Sequence, residues 1–234
     1  MRIWDLSAGY LNRQSLLGEH RELHGIYSIL TNGKHGYARH PETMRWTRAL
    51  SGLALRHRQL VAEMRLRGYV DRTPLRSTTT KAKWPASFVT DPEEQVSLLR
   101  AKYVGKEKGR IPLPRGPQEL WAQHKYSVMA RSPHTYQALG RAVARMRRGA
   151  PLSSLAQDLI WILRDAPSQG RLSTAVEHMW GYVRDGATPD DLTAARSSTG
   201  QLLACTQRLA LRLREKYLLS STALSELAVF VDVA

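Results

Sequence analysis

MRIWDLSAGYLNRQSLLGEHRELHGIYSIL, residues 1–30, is the stretch from which the rest of the chain is read. Residues 11–30 spell a helix. Leu16, His20, Leu23, Tyr27 and Leu30 recur at spacings of four and three, which is one face of a 3.6-residue period. Glu22 falls about 100° from Leu23, on the flank of that face. Gly18 and Gly25 share the flank, four before and three after Glu22. A glycine inside a helix costs ~1 kcal/mol relative to alanine, so two of them beside one carboxylate need a reason. Either they open a trough for a close-approaching ligand, or another helix packs against them.

Outward from this stretch, no strand alternation, hairpin signal or repeat appears. The loop 31–40 turns at Asn32-Gly33. It carries Lys34, His35, Tyr37, Arg39 and His40, basic groups around an aromatic ring, which suit phosphate contact and base stacking. Its two histidines have no carboxylate or cysteine to complete a ligand set, so the reading includes no metal. His40-Pro41-Glu42 opens a helix expected over 41–68, with Leu50, Leu53, Leu60, Val61 and Met64 as its core face. Arg45, Arg48, Arg56, Arg58, Arg65 and Arg67 make the remainder basic. Residues 70–90 are polar and irregular; Lys81, Lys83 and Trp84 make them a candidate DNA-contacting arm.

Asp91-Pro92-Glu93-Glu94 is a capped helix start, and that helix is expected to reach Tyr103. The Gly/Pro/Lys-rich run 105–117 then reads as a domain boundary. Beyond it, helices are expected over 118–131, 133–148, 151–165, 169–186 and 189–216, with a short tail from 221. Ser132-Pro133 and Thr188-Pro189 mark two of the starts. The fold class is all-α, in two helical lobes, 1–115 and 116–234.

With 234 residues the chain is long enough for a real core. Its charge is unusual: 35 Lys and Arg against 20 Asp and Glu, net +15, which is the footprint of a polyanion binder. The competing reading is a surplus that serves solubility. Residues 1–115 hold 21 Lys and Arg against 10 Asp and Glu, and residues 116–234 hold 14 against 10, so the polyanion site belongs mainly to the first half. The single cysteine, Cys205, makes no internal disulfide, and a reducing cytoplasm fits. No apolar run approaches the ~18 residues of a membrane span, and the first residues lack the apolar core expected of a signal peptide.

Several chemistries lack their motif: there is no phosphate-cradling glycine loop, dinucleotide fingerprint, nucleophile elbow, zincin helix or deaminase cysteine pair. Amines, carboxylates and histidines remain. An α-amine loses its proton at ~7.7–8.0, well below the ~10.4 of lysine. It can therefore attack C1′ of a deoxyribose at neutral pH and hold the opened sugar as an imine. A carboxylate in reach stabilises the developing cation and relays protons, and arginines hold the flanking phosphates.

Met1-Arg-Ile, Arg21-Glu-Leu within a helix, and Leu60-Val-Ala-Glu-Met-Arg-Leu-Arg-Gly-Tyr69 together resemble the pyrimidine dimer DNA glycosylase family, of the phage endonuclease V type, over about residues 1–115. The resemblance implies an all-α lobe and a DNA repair glycosylase with abasic-site lyase activity working through a Schiff base. The catalytic groups it implies are the amine of Met1 and the carboxylate of Glu22. Arg2 and Arg21 would contact DNA. Arg13, Lys34, His35, Tyr37, Arg39, His40, Arg45, Lys81, Lys83 and Trp84 complete the candidate DNA-binding set. Two positions depart from the phage enzyme. Met1 stands where that enzyme exposes a threonine, and Gly25 stands where it has an arginine, which leaves a different lesion open.

The second half is similar to a bacterial helical domain of no settled function, sometimes joined to thiouracil desulfidases. His124, Lys125, Tyr126, His178, Trp180 and Tyr182 carry that likeness, either as a second DNA- or base-contacting surface or as core. The expected partner is double-stranded DNA with damaged bases, bound by a cytoplasmic monomer with no cofactor and no membrane. The alternative is a non-catalytic basic DNA- or RNA-binding protein that keeps the fold.

Overall fold

In a computed structural model, which describes residues 1–75 and 82–231, the chain is all-α, with no strand among the described residues. The helices are α1 (Arg13–Asn32), α2 (Pro41–Trp46), α3 (Leu50–Leu66), α4 (Pro92–Lys102), α5 (Pro117–Met129), α6 (Pro133–Arg145), α7 (Ser153–Arg164), α8 (Gln169–Trp180), α9 (Pro189–Ala195), α10 (Thr199–Arg212), α11 (Lys216–Leu219), α12 (Ala223–Glu226) and α13 (Ala228–Val231). Their starts follow local chemistry. Asn12, Asp91, Ser132 and Thr188 each accept a backbone N–H of the first turn, satisfying donors that a helix end leaves orphaned. Gly33, at φ 61°, closes α1 in the left-handed conformation.

Two expected helices are broken. The helix over 41–68 turns at 47–49, with Ala49 at φ −134°. The short α2 is spent placing Glu42, Arg45 and Trp46 against the N-terminal segment, and the chain must then redirect to lay α3 along α1. The helix over 189–216 stops at Ala195 and restarts where Ser198 caps Gln201. The helix from 169 ends at Trp180, followed by a 3-10 turn at Arg184–Gly186.

The apolar side chains gather in two clusters that share elements. The first takes the N-terminal segment and residues of α1, α2, α3, α4, α5, α6 and α7. The second takes Leu55 and Leu66 of α3, Tyr126 of α5, and residues of α8 and α10 through α13. Helix α3 therefore faces both. Arg110, within the run 105–117, ties them further. It pairs with the buried Glu63 of α3 at 2.7 Å and donates to the carbonyls of Leu219 and Ser221. The same run lies on the N-terminal segment. Ile111 donates to the Gly9 carbonyl at 2.9 Å, and a Cβ on Gly109 would sit 2.3 Å from the Tyr10 carbonyl oxygen. Only glycine permits that crossing.

Candidate active site

The site is built by holding the first residues of the chain against one flank of α1. Ile3, Trp4, Leu6, Ala8, Tyr10 and Leu11 are all buried, so residues 3–11 form an apolar strap through the first cluster, with a 3-10 turn at Ala8–Tyr10. Asp5, the one acid in the strap, is buried among partners. Arg45 reaches both of its carboxylate oxygens (2.8 and 3.1 Å), Arg164 reaches one (3.1 Å), and the Gln95 amide bonds both its carboxylate and its backbone N–H. A buried carboxylate left unpaired would be costly, so these partners fix the register of the strap. Arg45 also donates to the Ile3 carbonyl at 3.0 Å. Arg164 comes from α7, in the second half of the chain.

That anchoring delivers Met1 and Arg2 to Glu22. The Met1 amine lies 3.9 Å from Glu22 Oε2, and the Arg2 backbone N–H donates a hydrogen bond to the same oxygen. The Glu22 side chain is 40% exposed and Met1 14%, so the pair sits at the surface and meets solvent from one side. Arg2, Trp4, Gln14, Ser15, Gly18, Glu19, Glu22, Leu98 and Lys102 line an open cleft of about 340 Å³ at this point. A Cβ added to Gly18 or Gly25 would meet nothing within 4 Å. Among the described residues no helix packs against either glycine, and at Gly18 the bare backbone forms a trough wall.

Glu19, one turn before, has the opposite fate. It is buried on the core face with Leu16, Leu23 and Ile26 and is held by Arg56 at 2.8 Å. Burial pushes its carboxyl up to about 6 against the lowering pull of Arg56. His20, Tyr27 and Leu30, expected on that face, are only partly buried.

The expected DNA contacts divide. Arg13, Arg21, Lys34, His35 and Arg39 are exposed. Tyr37 is 71% exposed at φ 54°, a left-handed conformation uncommon for a non-glycine residue. The Arg2 guanidinium lies 4.9 Å over the Trp4 ring. His40 is partly buried, and its Nδ1 caps α2 by accepting the Glu42 N–H.

Arg45 is not a phosphate ligand: its guanidinium is consumed by Asp5, Glu42 and the Ile3 carbonyl. Trp84 is not part of an exposed arm. Its ring lies 6.1 Å from Trp46 and under the Arg164 guanidinium, and its indole N–H donates to the Arg164 carbonyl. Lys83 is exposed, but its backbone is pinned: its N–H donates to Ser51 Oγ, and its carbonyl crosses Gly52 so closely that a Cβ there would lie 2.4 Å away. Lys81 lies outside the described residues. Of the other arginines expected on a basic face over 41–68, Arg56 and Arg67 pair with Glu19 and Glu63 and Arg58 donates to the Val229 carbonyl. Arg48 and Arg65 stay exposed. The trough residues Trp4, Gln14, Leu98 and Lys102 were not singled out from the sequence, which gives no sign that α4 borders α1.

The six second-half residues do not form one site. Lys125 lies 5.0 and 4.7 Å over the rings of Tyr126 and Tyr217. Tyr126 hydrogen-bonds Tyr182, and Tyr182 stacks on Tyr217 at 5.0 Å. His124 points elsewhere: it is buried beside Tyr10, its Nδ1 is 2.9 Å from the Leu120 carbonyl, and desolvation lowers its pKa to about 4. His178 is exposed, and Trp180 packs partly against the second cluster.

The all-α scaffold thus sets the N-terminal amine against a glutamate beside a cleft lined by Gly18 and rimmed by Arg2 and Lys102. Residues 1–77 match the model of the pyrimidine dimer DNA glycosylase family. Residues 125–226 match a second family, described as a protein of unknown function (DUF1722). No curated protein and no solved structure matches the chain. No helix among the described residues is long and apolar enough to cross a membrane.

Proposed function

We propose that the protein is a DNA repair glycosylase with abasic-site lyase activity, using the Met1 amine as nucleophile and Glu22 as the acid–base and electrostatic partner. The observation that carries the reading is the 3.9 Å approach of the Met1 amine to Glu22 on the rim of the Gly18 trough. The match of residues 1–77 to the glycosylase family supports it.

The amine nitrogen attacks C1′ of the target deoxyribose as the glycosidic bond breaks, and the base leaves with a proton. Ring opening leaves an imine between Met1 and C1′. Loss of a C2′ proton then expels the 3′ phosphate and nicks the strand. Glu22 takes up the proton that the amine sheds and offsets the charge of the iminium. Its bond to the Arg2 N–H keeps residue 1 in place. Arg2, Arg21, Lys102 and the loop cations Lys34 and Arg39 supply phosphate contacts, and the exposed Tyr37 ring supplies a stacking surface for an unstacked base. Double-stranded DNA is the partner, and a damaged pair is the cheapest to open.

The test is borohydride trapping with tag-free protein on duplexes carrying an abasic site, a thymine dimer or no lesion. A covalent adduct mapped to Met1 is expected on damaged DNA. Glu22→Gln should keep DNA binding and slow adduct formation by ~10²–10⁴-fold, and one residue added before Met1 should abolish it. Trapping on the abasic site alone would keep the lyase and replace the dimer with another lesion. No adduct on any duplex would leave a basic DNA-binding protein.

A further inference from the structure

On a different flank of α1 from Glu22, three histidines meet. His20 and His24 stand one turn apart on α1, and His57 comes from the facing side of α3. The Nε2 of His57 lies 3.1 Å from the Nε2 of His20 and 3.1 Å from that of His24. Asp71, just beyond the end of α3, brings its carboxylate to 3.4 Å from His20 and 3.7 Å from His57. One ligand atom from each of the four residues lies within 4.8 Å of the others.

We propose that His20, His24, His57 and Asp71 form a binding site for one divalent transition-metal ion of the zinc class. With metal–ligand bonds of ~2.0–2.1 Å, neighbouring donors of a tetrahedral site are ~3.3–3.4 Å apart. Four of the separations, 3.1 to 3.7 Å, lie about that edge, and the whole set falls within 4.8 Å. Hydrogen bonds reach the edge of the trio, with the Thr73 hydroxyl 3.1 Å from His24 Nε2, but they do not join all three rings to one another. A single proton on His57 Nε2 bonds only one of its two neighbours, whereas a cation takes all the lone pairs together.

Asp71 is oriented by Thr73, whose backbone N–H and hydroxyl both donate to it. Such outer partners fix the geometry of metal-binding carboxylates.

The donor set points to zinc rather than to magnesium or calcium, which prefer all-oxygen sites. The ligands are largely withdrawn from solvent: the side chains of His20, His57 and Asp71 are 13%, 3% and 5% exposed, and His24 is partly buried. Four protein ligands in a closed site belong to structural zinc. Bound there, the ion clasps α1, α3 and residues 71–75 together. Access runs through a cleft of about 530 Å³ lined by His57, Asp71, Leu75 and Leu203. The proposal is independent of the repair chemistry and uses none of its residues.

The experiment uses full-length, tag-free protein stripped with a chelator and titrated with Zn2+ against a chromophoric competitor, followed by thermal unfolding. One equivalent per chain and a raised Tm are expected. Asp71→Asn and His24→Gln, each checked for folding by circular dichroism, should weaken binding by ~10–100-fold or more. Co2+ in place of zinc should give the intense visible bands of a tetrahedral site, lost in both variants. No Zn2+ uptake with an unmoved Tm, or folded variants that bind Zn2+ as tightly as the parent, would overturn the site and leave a hydrogen-bonded histidine trio.

Discussion

Helix α1 carries two neighbourhoods only two residues apart in sequence. On one flank, Glu22 stays 40% exposed on a trough whose wall is bare glycine, and the partner it faces is the chain's own amine. On another, His20 and His24 are folded into a closed cluster with His57 and Asp71. The open flank is kept in place from far away, through a strap whose buried Asp5 is gripped by arginines of α2 and α7. The closed flank is self-contained within α1, α3 and the residues that follow. The lesson is that a carboxylate near the surface keeps its chemistry available only if something rigid elsewhere holds its partner.

The contrast is broken most severely by Arg164→Met. Removing one partner of a buried ion pair costs ~3–5 kcal/mol, so thermal unfolding should show a large fall in Tm. Trapping of DNA on Met1 should slow in the surviving folded protein, while zinc uptake at the histidine flank stays as in the parent. Unchanged trapping at a lowered Tm would mean that the strap needs only Arg45.

Acid separates the regions next. Desolvation holds His124, beneath Tyr10 of the strap, at about 4. Its folded pKa is below its unfolded one, so the unfolded chain binds the proton more readily between ~6.5 and 4. Its contribution is complete above that window and is lost as pH falls through it, by up to about 3 kcal/mol. His57 contributes in the same direction. Glu19, raised to about 6, contributes in the opposite one. Urea denaturation of His124→Gln beside the parent, at pH 7 and pH 4.5, isolates the His124 share: the variant should lose less stability on acidification. Equal losses would show that His124 does not carry it.

The smallest effect sharpens the comparison most. Gly18→Ala and Gly25→Ala should each stabilise the protein by up to ~1 kcal/mol, because the new methyl group meets no neighbour. Gly18→Leu, which intrudes on the trough, should reduce adduct formation, and Gly25→Leu, which does not line it, should leave it unchanged. Equal activity in both leucine variants would detach the trough from the chemistry.

Much of this arrangement was legible in the sequence. The starts of α4, α6 and α9 are spelled by Asp91-Pro92, Ser132-Pro133 and Thr188-Pro189, because capping is a local transaction between a side chain and the next turn. Met1 and Glu22 were legible through their motif, and the fold sets them side by side. What sequence could not give is what depends on distant partners. Glu19 and Glu22 are one turn apart in the same helix; Glu19 lies on the face of Leu16, Leu23 and Ile26, but what makes a buried carboxylate tolerable there, Arg56, comes from α3. Arg45 and Trp84 have the composition of DNA contacts, yet Asp5 and Trp46 claim them. The spacing of His20 and His24, four residues on one helix face, was a ligand signal in plain view. His57 and Asp71 are too far along the chain to complete it without the packing of α3. The break before Ser198 was also spelled, by Ser198-x-x-Gln201, a capping pair inside the single helix expected over 189–216.

The sharing of α3 between two apolar clusters has a consequence for how the protein is made. Leu55 and Leu66 leave the ribosome long before the residues of α8, α10 and the last short helices that cover them. At ~5–20 residues per second that delay is on the order of ten seconds. During translation the nascent first half therefore presents an apolar helix face without its cover, a surface that a chaperone would recognise, and the finished chain withdraws it only when synthesis is nearly over.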